Sequence, residues 1–436
     1  MYISSEDKIL FMRRHIETAK SLVFSSTAKD TYILFIGNVA SAFLGFVYTL
    51  LVARALSVSD FGVFSAATNL VYILVSVGDL GISSGAVNFI ADAYSKGQTK
   101  LKEAYMKSSL IIRSSFMSLL AILMVVLATL ISEKFLATTD ISISFWVAAV
   151  TWVYLLSTTF SFFLQAERKF LKSTILDIVL NIFRVFLTYL FILSSGLTLS
   201  ESLFSFAIAC VVTSIFGIIY VKPGFLFAKV DKSIHVDLLK FSGWLGVNRV
   251  LSTISGRLDV QMLAAISGAV LTGFYSISSK ISFFIVVLAG SFGAVLAPRL
   301  ASFSDKHKER KYLAKATLMT LPIVAGVIIW IIIAKPFILL LFGEKYLQSV
   351  PIFQALSFSY IPFILTIPSV TAIIYSIKKP KLIGVFSIFN LIAIFFLNLI
   401  LIPKFSIFGP VITFGVTNSI MAIFSWIIVI KYYWRS

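Results

Sequence analysis

The segment Gly62–Ala91 reads GVFSAATNLVYILVSVGDLGISSGAVNFIA and contains a single charged residue, Asp79. As one helix it would be about 45 Å long, which exceeds the roughly 30 Å hydrocarbon core of a bilayer. The sequence GDLG, at 78–81, is suited to divide it, because glycine favours the backbone that ends helices and aspartate caps helix starts. We therefore predict a membrane span that ends at Gly78, followed by a second helix capped by Asp79.

The composition of the whole chain places it among polytopic membrane proteins. Of its 436 residues, 59% are hydrophobic and 13% are charged, against about 25% charged residues in soluble domains. Cys210 is the single cysteine, and the three histidines (His15, His235 and His307) lie in basic polar segments. A disulfide framework, a metal site and a cysteine or histidine nucleophile are therefore not expected.

Twelve segments are long and apolar enough to form transmembrane helices, so the predicted fold class is an all-α polytopic membrane protein. The predicted spans are 32–53, 62–91, 105–131, 141–164, 173–196, 200–221, 241–267, 270–297, 316–334, 352–377, 382–402 and 407–430.

Lysine and arginine predict the orientation of these spans, because they collect in cytoplasmic loops. With a cytoplasmic N-terminus, 27 of the 37 basic residues fall in cytoplasmic segments when Lys107, at the start of the third span, is counted with them, and both termini are cytoplasmic. The net charge of +18 then reflects topology, and no nucleic-acid partner is expected. The outer loops are too short to carry an acidic catalytic loop, so no enzyme activity is expected. These loops hold five basic residues: Arg54, Lys134, Lys335, Lys345 and Lys404.

An internal repeat indicates two lobes. Gly62–Ser65 (GVFS) recurs as Gly273–Ser276 (GFYS) at an offset of 211 residues, and the same offset aligns the basic stretches Lys96–Lys107 and His307–Leu318. Two parallel six-helix lobes around a central cavity are a transporter architecture. The predicted divisions are an amphipathic cytoplasmic N-terminus (1–31), an N-terminal lobe (32–222), a cytoplasmic linker (223–240), a C-terminal lobe (241–431) and a cytoplasmic C-terminus (432–436).

Apart from Lys107 and Glu201 at span ends, eight charged residues fall inside the predicted spans. Each costs about 2.5–3.5 kcal/mol at a helix centre unless it faces water, ligand or another charge. Many belong to polar stripes at helical spacing, which predicts a hydrated cavity between the lobes. The stripes are Asn38, Ser41, Gly45 and Tyr48; Asn69, Tyr72, Ser76 and Asp79; Asp177, Asn181, Arg184 and Thr188; and Asn248, Ser252, Ser255 and Asp259, beside Arg249, Thr253 and Arg257.

The five basic members are assigned by their depth. Arg184, Arg257 and Lys280 lie near mid-membrane and are predicted to line the cavity, with internal ion pairs as the alternative. For Arg249, a structural role and a binding role are both open. Arg113 is expected to snorkel to the cytoplasmic surface.

The three acidic members have less specific predictions. Asp259 is expected either to neutralise a nearby cation or to couple an ion. Asp177 is expected to stabilise the start of its helix, with ion coupling as the alternative. For Asp79, ion coupling or headgroup contact is the alternative to capping. Five positive charges against three negative make the cavity cationic, which favours an anionic ligand such as phosphate.

Two segments carry a family resemblance. Leu51–Gly97 (LVARALSVSDFGVFSAATNLVYILVSVGDLGISSGAVNFIADAYSKG) and Pro336–Pro362 (PFILLLFGEKYLQSVPIFQALSFSYIP) resemble the Wzx-type flippases of polysaccharide biosynthesis. The resemblance extends over about residues 30–430. It implies the fold of the MOP superfamily, which also contains the MATE drug exporters and the peptidoglycan-precursor flippase.

The resemblance further implies the substrate and its surroundings. Wzx-type members move an undecaprenyl-diphosphate-linked oligosaccharide, for O-antigen (lipopolysaccharide), capsule or exopolysaccharide, to the outer leaflet of the bacterial inner membrane. Arg184, Arg257 and Lys280, together with Arg249, are then expected to bind the diphosphate. A polysaccharide polymerase and a chain-length regulator are candidate partners. No cofactor is expected, and coupling to H⁺ or Na⁺ is open.

Two other functions stay open. A MATE-like cation-coupled multidrug antiporter predicts acidic residues in the first-lobe cavity. A scaffold of a polysaccharide assembly complex, without transport of its own, gives no reason for buried cations in both lobes.

Overall fold

The computed structural model describes residues 26–194, 196–303 and 305–434, and all regular elements in these ranges are helices. Of the predicted amphipathic N-terminus (1–31), residues 1–25 lie outside the described residues, and 26–31 belong to the first helix. The α-helices are α1 (Ser26–Ala55), α2 (Val58–Asp79), α3 (Ile82–Ser95), α4 (Thr99–Val126), α5 (Ala128–Phe135), α6 (Ser142–Ala166), α7 (Phe170–Ser194), α8 (Leu199–Val221), α9 (Lys232–Ser255), α10 (Leu258–Ser267), α11 (Ala269–Ser302), α12 (Lys306–Leu318), α13 (Thr320–Ile332), α14 (Ala334–Phe342), α15 (Ser349–Thr371), α16 (Pro380–Phe405) and α17 (Phe408–Trp434).

The protein is a polytopic membrane protein. Within the described ranges, eleven helical segments are long and apolar enough to cross a membrane. The predicted seventh span differs, because it folds as two helices, α9 and α10, that are interrupted at Gly256 and Arg257. The twelve predicted crossings are therefore eleven continuous helical segments and one broken pair.

The second predicted span also breaks, but not where the sequence predicted. Helix α2 ends at Asp79, and the break is formed by Leu80 (φ 47°) and Gly81 (φ 73°), both left-handed. The predicted end at Gly78 is therefore wrong by one residue, because Gly78 and Asp79 remain helical. The carboxylate of Asp79 accepts a hydrogen bond from the backbone N–H of Ser83 (3.2 Å) and so caps the first turn of α3.

The helices form two lobes. In the N-terminal lobe, α1 packs on α7, α6 packs on α8, and α4 packs on α3 and α6. In the C-terminal lobe, α15 packs on α11 and α17, and α17 packs on α16. Helix α2 joins the lobes, since it contacts α6 on one side and α11 on the other.

The repeat is visible where α2 and α11 cross. A Cβ atom added to Gly62 would lie 1.8 Å from the carbonyl oxygen of Ala269, and one added to Gly273 would lie 2.3 Å from that of Val58. Ala269 follows Val58, and Gly273 follows Gly62, by the same 211 positions. Gly62 therefore contacts Ala269 in the same way as its repeat equivalent, Gly273, contacts Val58. The two backbones are related by a local pseudo-twofold axis.

The linker between the two lobes is shorter than the sequence predicted. A 3₁₀ helix (Pro223–Phe227) follows α8, and α9 begins at Lys232, inside the predicted 223–240 linker. Helix α9 then packs against α2, α3 and α4 of the N-terminal lobe as well as against α16. The first half of the seventh span therefore lies between the lobes.

The connections 56–57 and 343–348 lie at one end of the bundle, opposite to the end that carries the connections 96–98, 167–169 and 222–231. We call it the opposite end. There the two lobes form hydrogen bonds with each other. The Arg54 guanidinium donates to the carbonyls of Leu340 and Leu341 (both 2.6 Å). The Lys345 ammonium donates to the carbonyls of Arg54 (2.8 Å) and Leu56 (2.6 Å). Each cation thus stabilises a helix C-terminus of the other lobe. Partial burial, with the Arg54 charge, lowers the pKa of Lys345.

The glycine crossing gives a stability prediction. We expect Gly62→Ala to lower the free energy of unfolding by about 1–3 kcal/mol, because the new methyl group forces two backbones apart. Gly290→Ala, in α11, is the matched control, since nothing lies within 4 Å of its added Cβ. Thermal unfolding in detergent measures both. Equal melting temperatures for the two variants would contradict the close crossing.

Candidate functional site

A buried ion pair lies inside the N-terminal lobe, close to the break between α2 and α3. The Nε atom of Arg113, in α4, is 3.0 Å from Asp79 Oδ1, and both side chains are at most 3% exposed. The Arg113 guanidinium also donates to Thr159 (2.8 Å) and Thr158 (3.2 Å) of α6. The expectation that Arg113 snorkels to the surface is therefore wrong, because a carboxylate and two hydroxyls compensate its charge in the interior.

Arg249, from α9, reaches the same carboxylate from the other lobe. Its Nη1 donates to Ser83 Oγ (2.8 Å) and lies 3.7 Å from Asp79 Oδ2, while Ser83 Oγ donates to Asp79 (2.7 Å). The Arg249 side chain is 45% exposed. Its contact with Asp79 is therefore longer and more exposed than the contact of Arg113 with Asp79.

The close approach of α9 requires glycine on both sides. A Cβ added to Gly81 would lie 2.4 Å from the Gly246 nitrogen, and one added to Gly246 would lie 2.2 Å from the carbonyl oxygen of Leu80. The break after α2 therefore serves two purposes. It ends the helix, and it lets the α9 backbone come close enough for Arg249 to reach Asp79.

Hydrogen bonds continue from Arg249 along the whole contact of α2 with α9 and α10. Ser76 Oγ donates to Thr253 Oγ1 (3.0 Å). Arg257 Nη1 donates to Asn69 Oδ1 (3.3 Å), and Asn69 Nδ2 donates to the Arg257 carbonyl (2.8 Å). Gln261 Nε2 donates to the carbonyl of Phe135 at the end of α5 (2.6 Å). We call this set of contacts, from Arg249 to Gln261, the polar seam.

The polar seam corrects the interpretation of two predicted stripes. The α2 stripe (Asn69, Tyr72, Ser76 and Asp79) and the stripe of Arg249, Thr253 and Arg257 do not face a water-filled gap in this conformation, because they bond to each other. The seam residues of α9 and α10 recur every four positions, and Gln261, which the sequence analysis missed, continues that spacing. Extending the i, i+4 series by one step would have found it.

Three of the predicted binding cations contact one group of aromatic rings in the N-terminal lobe. The Arg257 guanidinium lies 4.3 Å from the ring centre of Tyr72, and the Lys280 ammonium lies 5.2 Å from that of Phe61 and 5.7 Å from that of Phe64. Arg184 lies between Tyr48 (4.1 Å) and Phe206 (3.9 Å). The rings also touch each other, with Tyr48 5.9 Å from Phe64 and Tyr72 6.5 Å from Phe206. We call these five rings the aromatic cluster.

The three cations differ in access. Arg184 is 8% exposed and so is enclosed in the N-terminal lobe, where its Nε has no hydrogen-bond partner among the described residues. Arg257 and Lys280 are half-buried and reach the cluster from the C-terminal lobe. Within the described ranges, no carboxylate oxygen lies within 4 Å of a nitrogen of these three side chains. Ring faces contact all three charges. Arg257 also donates to Asn69 Oδ1 (3.3 Å), and Arg184 Nη1 donates to Asn181 Oδ1 (3.4 Å).

The other two acidic residues lie apart from these cations. Asp259 Oδ2 accepts a hydrogen bond from the Tyr275 hydroxyl (2.6 Å), and Asp259 has no cation within 4 Å in the described part of the chain. Asp177 accepts from Ser161 (3.4 Å). Asp177 lies about two turns into α7, which begins at Phe170. Its predicted role at a helix start is therefore wrong, because the dipole effect is confined to the first turn.

Two cavities lie at the opposite end of the bundle. One, of 460 Å³, is lined by polar residues of the N-terminal lobe that include Ser57, Asp60 and Thr198. The other, of 390 Å³, lies between Thr139 and Ala264. Neither contains a predicted site residue.

Comparison with known proteins defines the family. The family described as polysaccharide biosynthesis protein matches residues 27–304, which is more than half of the chain. The chain belongs to the polysaccharide biosynthesis protein family.

Relatives of this family member come from bacteria and archaea. It is 25% identical over 408 residues to an uncharacterized membrane protein of Methanocaldococcus jannaschii, covering 87% of this chain and 79% of the relative. It is 22% identical over 287 residues to a Shigella flexneri protein named "Putative O-antigen transporter", covering 64% and 67%. An uncharacterized membrane protein in the cps region of Klebsiella pneumoniae is 32% identical over 160 residues, covering 34% and 30%.

Solved structures show the same fold. The lipid II flippase MurJ in an inward closed conformation superposes with a TM-score of 0.73 at 17% identity, covering 91% of this chain and 87% of that one. An inward-facing MATE multidrug transporter of the MOP superfamily gives 0.72 at 13% identity, covering 88% and 93%. The predicted MOP superfamily fold is therefore confirmed.

The buried ion pair gives a second stability prediction. We expect Asp79→Asn to cost about 3–5 kcal/mol, because it leaves the Arg113 charge unpaired in the interior. Asp92→Asn is the control, since its ion pair with Lys96 is more than half exposed and such pairs contribute less than about 0.5 kcal/mol. Thermal unfolding of the two variants measures the difference. Equal losses would show that Asp79 and Arg113 are not coupled.

Proposed function

We propose that this polysaccharide biosynthesis protein is a flippase that moves a lipid-linked oligosaccharide, attached through undecaprenyl diphosphate, from the inner to the outer leaflet of the bacterial cytoplasmic membrane. The observation that supports it most directly is the set of three cations on the aromatic cluster, which has no carboxylate within 4 Å in the described ranges. A site that holds positive charge without an acidic partner favours an anionic ligand. Family membership and the likeness to an O-antigen transporter support a lipid-linked saccharide as that ligand.

A diphosphate suits these cations. A ring face compensates a half-buried cation by about 0.5–2 kcal/mol, whereas guanidinium donates two parallel hydrogen bonds to phosphate oxygens. Arg257 and Lys280 are half-buried at the boundary of the lobes, so they are placed to exchange ring contact for phosphate. Arg184 contributes its field from inside the N-terminal lobe, and Arg249 adds an accessible charge beside Asp79.

Transport then needs no covalent step. The two lobes would rock about the site and expose it alternately, while the polyprenyl chain stays in lipid. The end of the bundle with the connections 96–98, 167–169 and 222–231 would face the cytoplasm, because lysine and arginine concentrate there. A polysaccharide polymerase and a chain-length regulator would act next on the translocated saccharide.

The MATE-like antiporter is less well supported. It needs accessible carboxylates in the first lobe, but Asp79 is paired with Arg113 and Arg249, and Asp177 accepts a hydrogen bond from Ser161. The likeness to MATE structures, at 13% identity, concerns the fold alone.

The function is tested in proteoliposomes that contain an undecaprenyl-diphosphate-linked oligosaccharide. We expect Arg257→Ala and Lys280→Ala each to slow translocation at least about tenfold, because each removes a charged contact worth about 1.4 kcal/mol or more. Lys308→Ala, which removes an exposed cation from α12, should leave the rate unchanged. If the unaltered protein moves no lipid, the proposed function is wrong. If all variants flip equally well, the function stands and the site is wrong.

We propose Asp259 as the residue that couples transport to H⁺ or Na⁺, because no cation of the described residues lies within 4 Å of its carboxylate and it lies two residues from Arg257. Asp259→Asn should remove the response of flipping to an imposed H⁺ or Na⁺ gradient, whereas Asp177→Asn should retain it. The response is measured as the ratio of flipping rates with and without the gradient. A gradient response retained by Asp259→Asn would exclude the assignment.

A further inference from the structure

The polar seam is an interface between the lobes that is made of side-chain hydrogen bonds. Its members come from α2, α3 and the end of α5 on one side, and from α9, α10 and Arg257 at the break between them on the other. Hydrogen bonds of this kind hold helices together inside a membrane at about 0.6–2 kcal/mol each, and water or a polar ligand can replace them. The seam is therefore stable when dry and separable when a polar group enters.

Arg257 belongs to both the polar seam and the cation site. Its guanidinium donates to Asn69 and stacks on Tyr72, and its carbonyl accepts from Asn69. A diphosphate that accepts hydrogen bonds from both donor edges of the Arg257 guanidinium displaces it from Asn69 Oδ1 and from the Tyr72 ring. Ligand binding and closure of the seam therefore compete for one side chain.

We propose that the polar seam is a gate between the lobes, and that an anionic headgroup opens it by drawing Arg257 away from Asn69 and Tyr72. The inference rests on the proposed function, since the headgroup is that of the proposed substrate. The crossing of α2 and α11 at Gly62 and Gly273 is a contact of backbones and acts as the pivot. Opening at Thr253 and Arg249 then follows the loss of the Arg257 contacts.

A reversible crosslink tests the gate. Ser76 and Thr253 face each other with hydroxyl oxygens 3.0 Å apart, so Ser76→Cys with Thr253→Cys places two thiols across the seam. Cys210 is the single native cysteine, and Cys210→Ala gives a clean background. Ser132→Cys with Ser144→Cys is the matched control, because those oxygens are 2.7 Å apart within the N-terminal lobe.

The first measurement is flipping before and after oxidation with a membrane-permeant oxidant. We expect the seam disulfide to reduce flipping at least about tenfold, and reduction to restore it, because a locked gate removes the open population. The control disulfide should leave flipping unchanged. A seam-crosslinked protein that flips as fast as its reduced form would overturn the proposal, while the proposed function would stand.

The second measurement separates the gate from the transport assay. Inorganic pyrophosphate is the probe, with its binding followed by calorimetry, and the readout is the rate of disulfide formation. We expect saturating pyrophosphate to slow the seam crosslink at least about threefold, since it shifts the population towards the open seam. The control pair should react at an unchanged rate. Pyrophosphate that binds without slowing the seam crosslink would overturn the opening by ligand.

Asn69→Ala distinguishes a gate from a merely structural contact. Without Asn69, Arg257 loses its hydrogen bonds across the seam in the absence of ligand and keeps only the contact with Tyr72. The seam pair should therefore crosslink more slowly, and pyrophosphate should have a smaller effect on its rate. The control pair should be unaffected. Slower crosslinking of both pairs would indicate general loosening and would count against the gate. If the reduced seam variant moves no lipid although the parent does, the crosslink rates alone decide the gate.

Discussion

The hydrogen bonds between α2 and the α9–α10 pair hold the two lobes together inside the membrane, and most of the polar chemistry of this protein depends on them. Apolar side chains gain little from leaving lipid for another helix, so lobes that separated through apolar faces alone would have no preferred closed state. Ser76, Thr253, Asn69 and Gln261 supply directional contacts instead. They fix one register between the lobes, yet each can be exchanged for water.

The contacts between the lobes differ in how easily they can be broken. At Gly62 and Gly273 the backbones touch, and no side chain can rotate away to release them. At the opposite end, Arg54 and Lys345 bond to carbonyls at helix ends, which are fixed acceptors. Along the polar seam, by contrast, most partners are side chains with free rotamers. Separation of the lobes therefore costs least at the side-chain contacts of the seam, and most where backbones touch, at the crossing of Gly62 with Gly273 and at the approach of Gly81 to Gly246.

The sequence predicted the number of crossings and the repeat, because both follow from hydropathy and from an offset between similar segments. It also singled out polar residues of α2 and of the seventh span that bond to each other in the structure. What it could not supply was their partners, since periodicity identifies the face of a helix but not the surface that covers it. Arg113 shows the same limit. Its depth in the predicted span suggested that its side chain reaches the cytoplasmic surface. In the structure it forms an ion pair with Asp79, thirty-four positions earlier in the chain.

The carboxylate of Asp79 contacts two arginines, Arg113 and Arg249. Because of this, the seam can open without leaving a buried charge unpaired. Removing one partner of a buried pair is costly because the remaining charge stays in a medium that does not solvate it. Asp79 keeps Arg113, which belongs to the same lobe and is as deeply buried as the carboxylate itself. Arg249, the partner that belongs to the other lobe, is the longer contact and is already partly solvated. Separation of the lobes therefore releases a cation that water can take up, and leaves behind a neutral pair. The released Arg249 adds to the positive charge of the site at the moment when the site is open to an anionic headgroup.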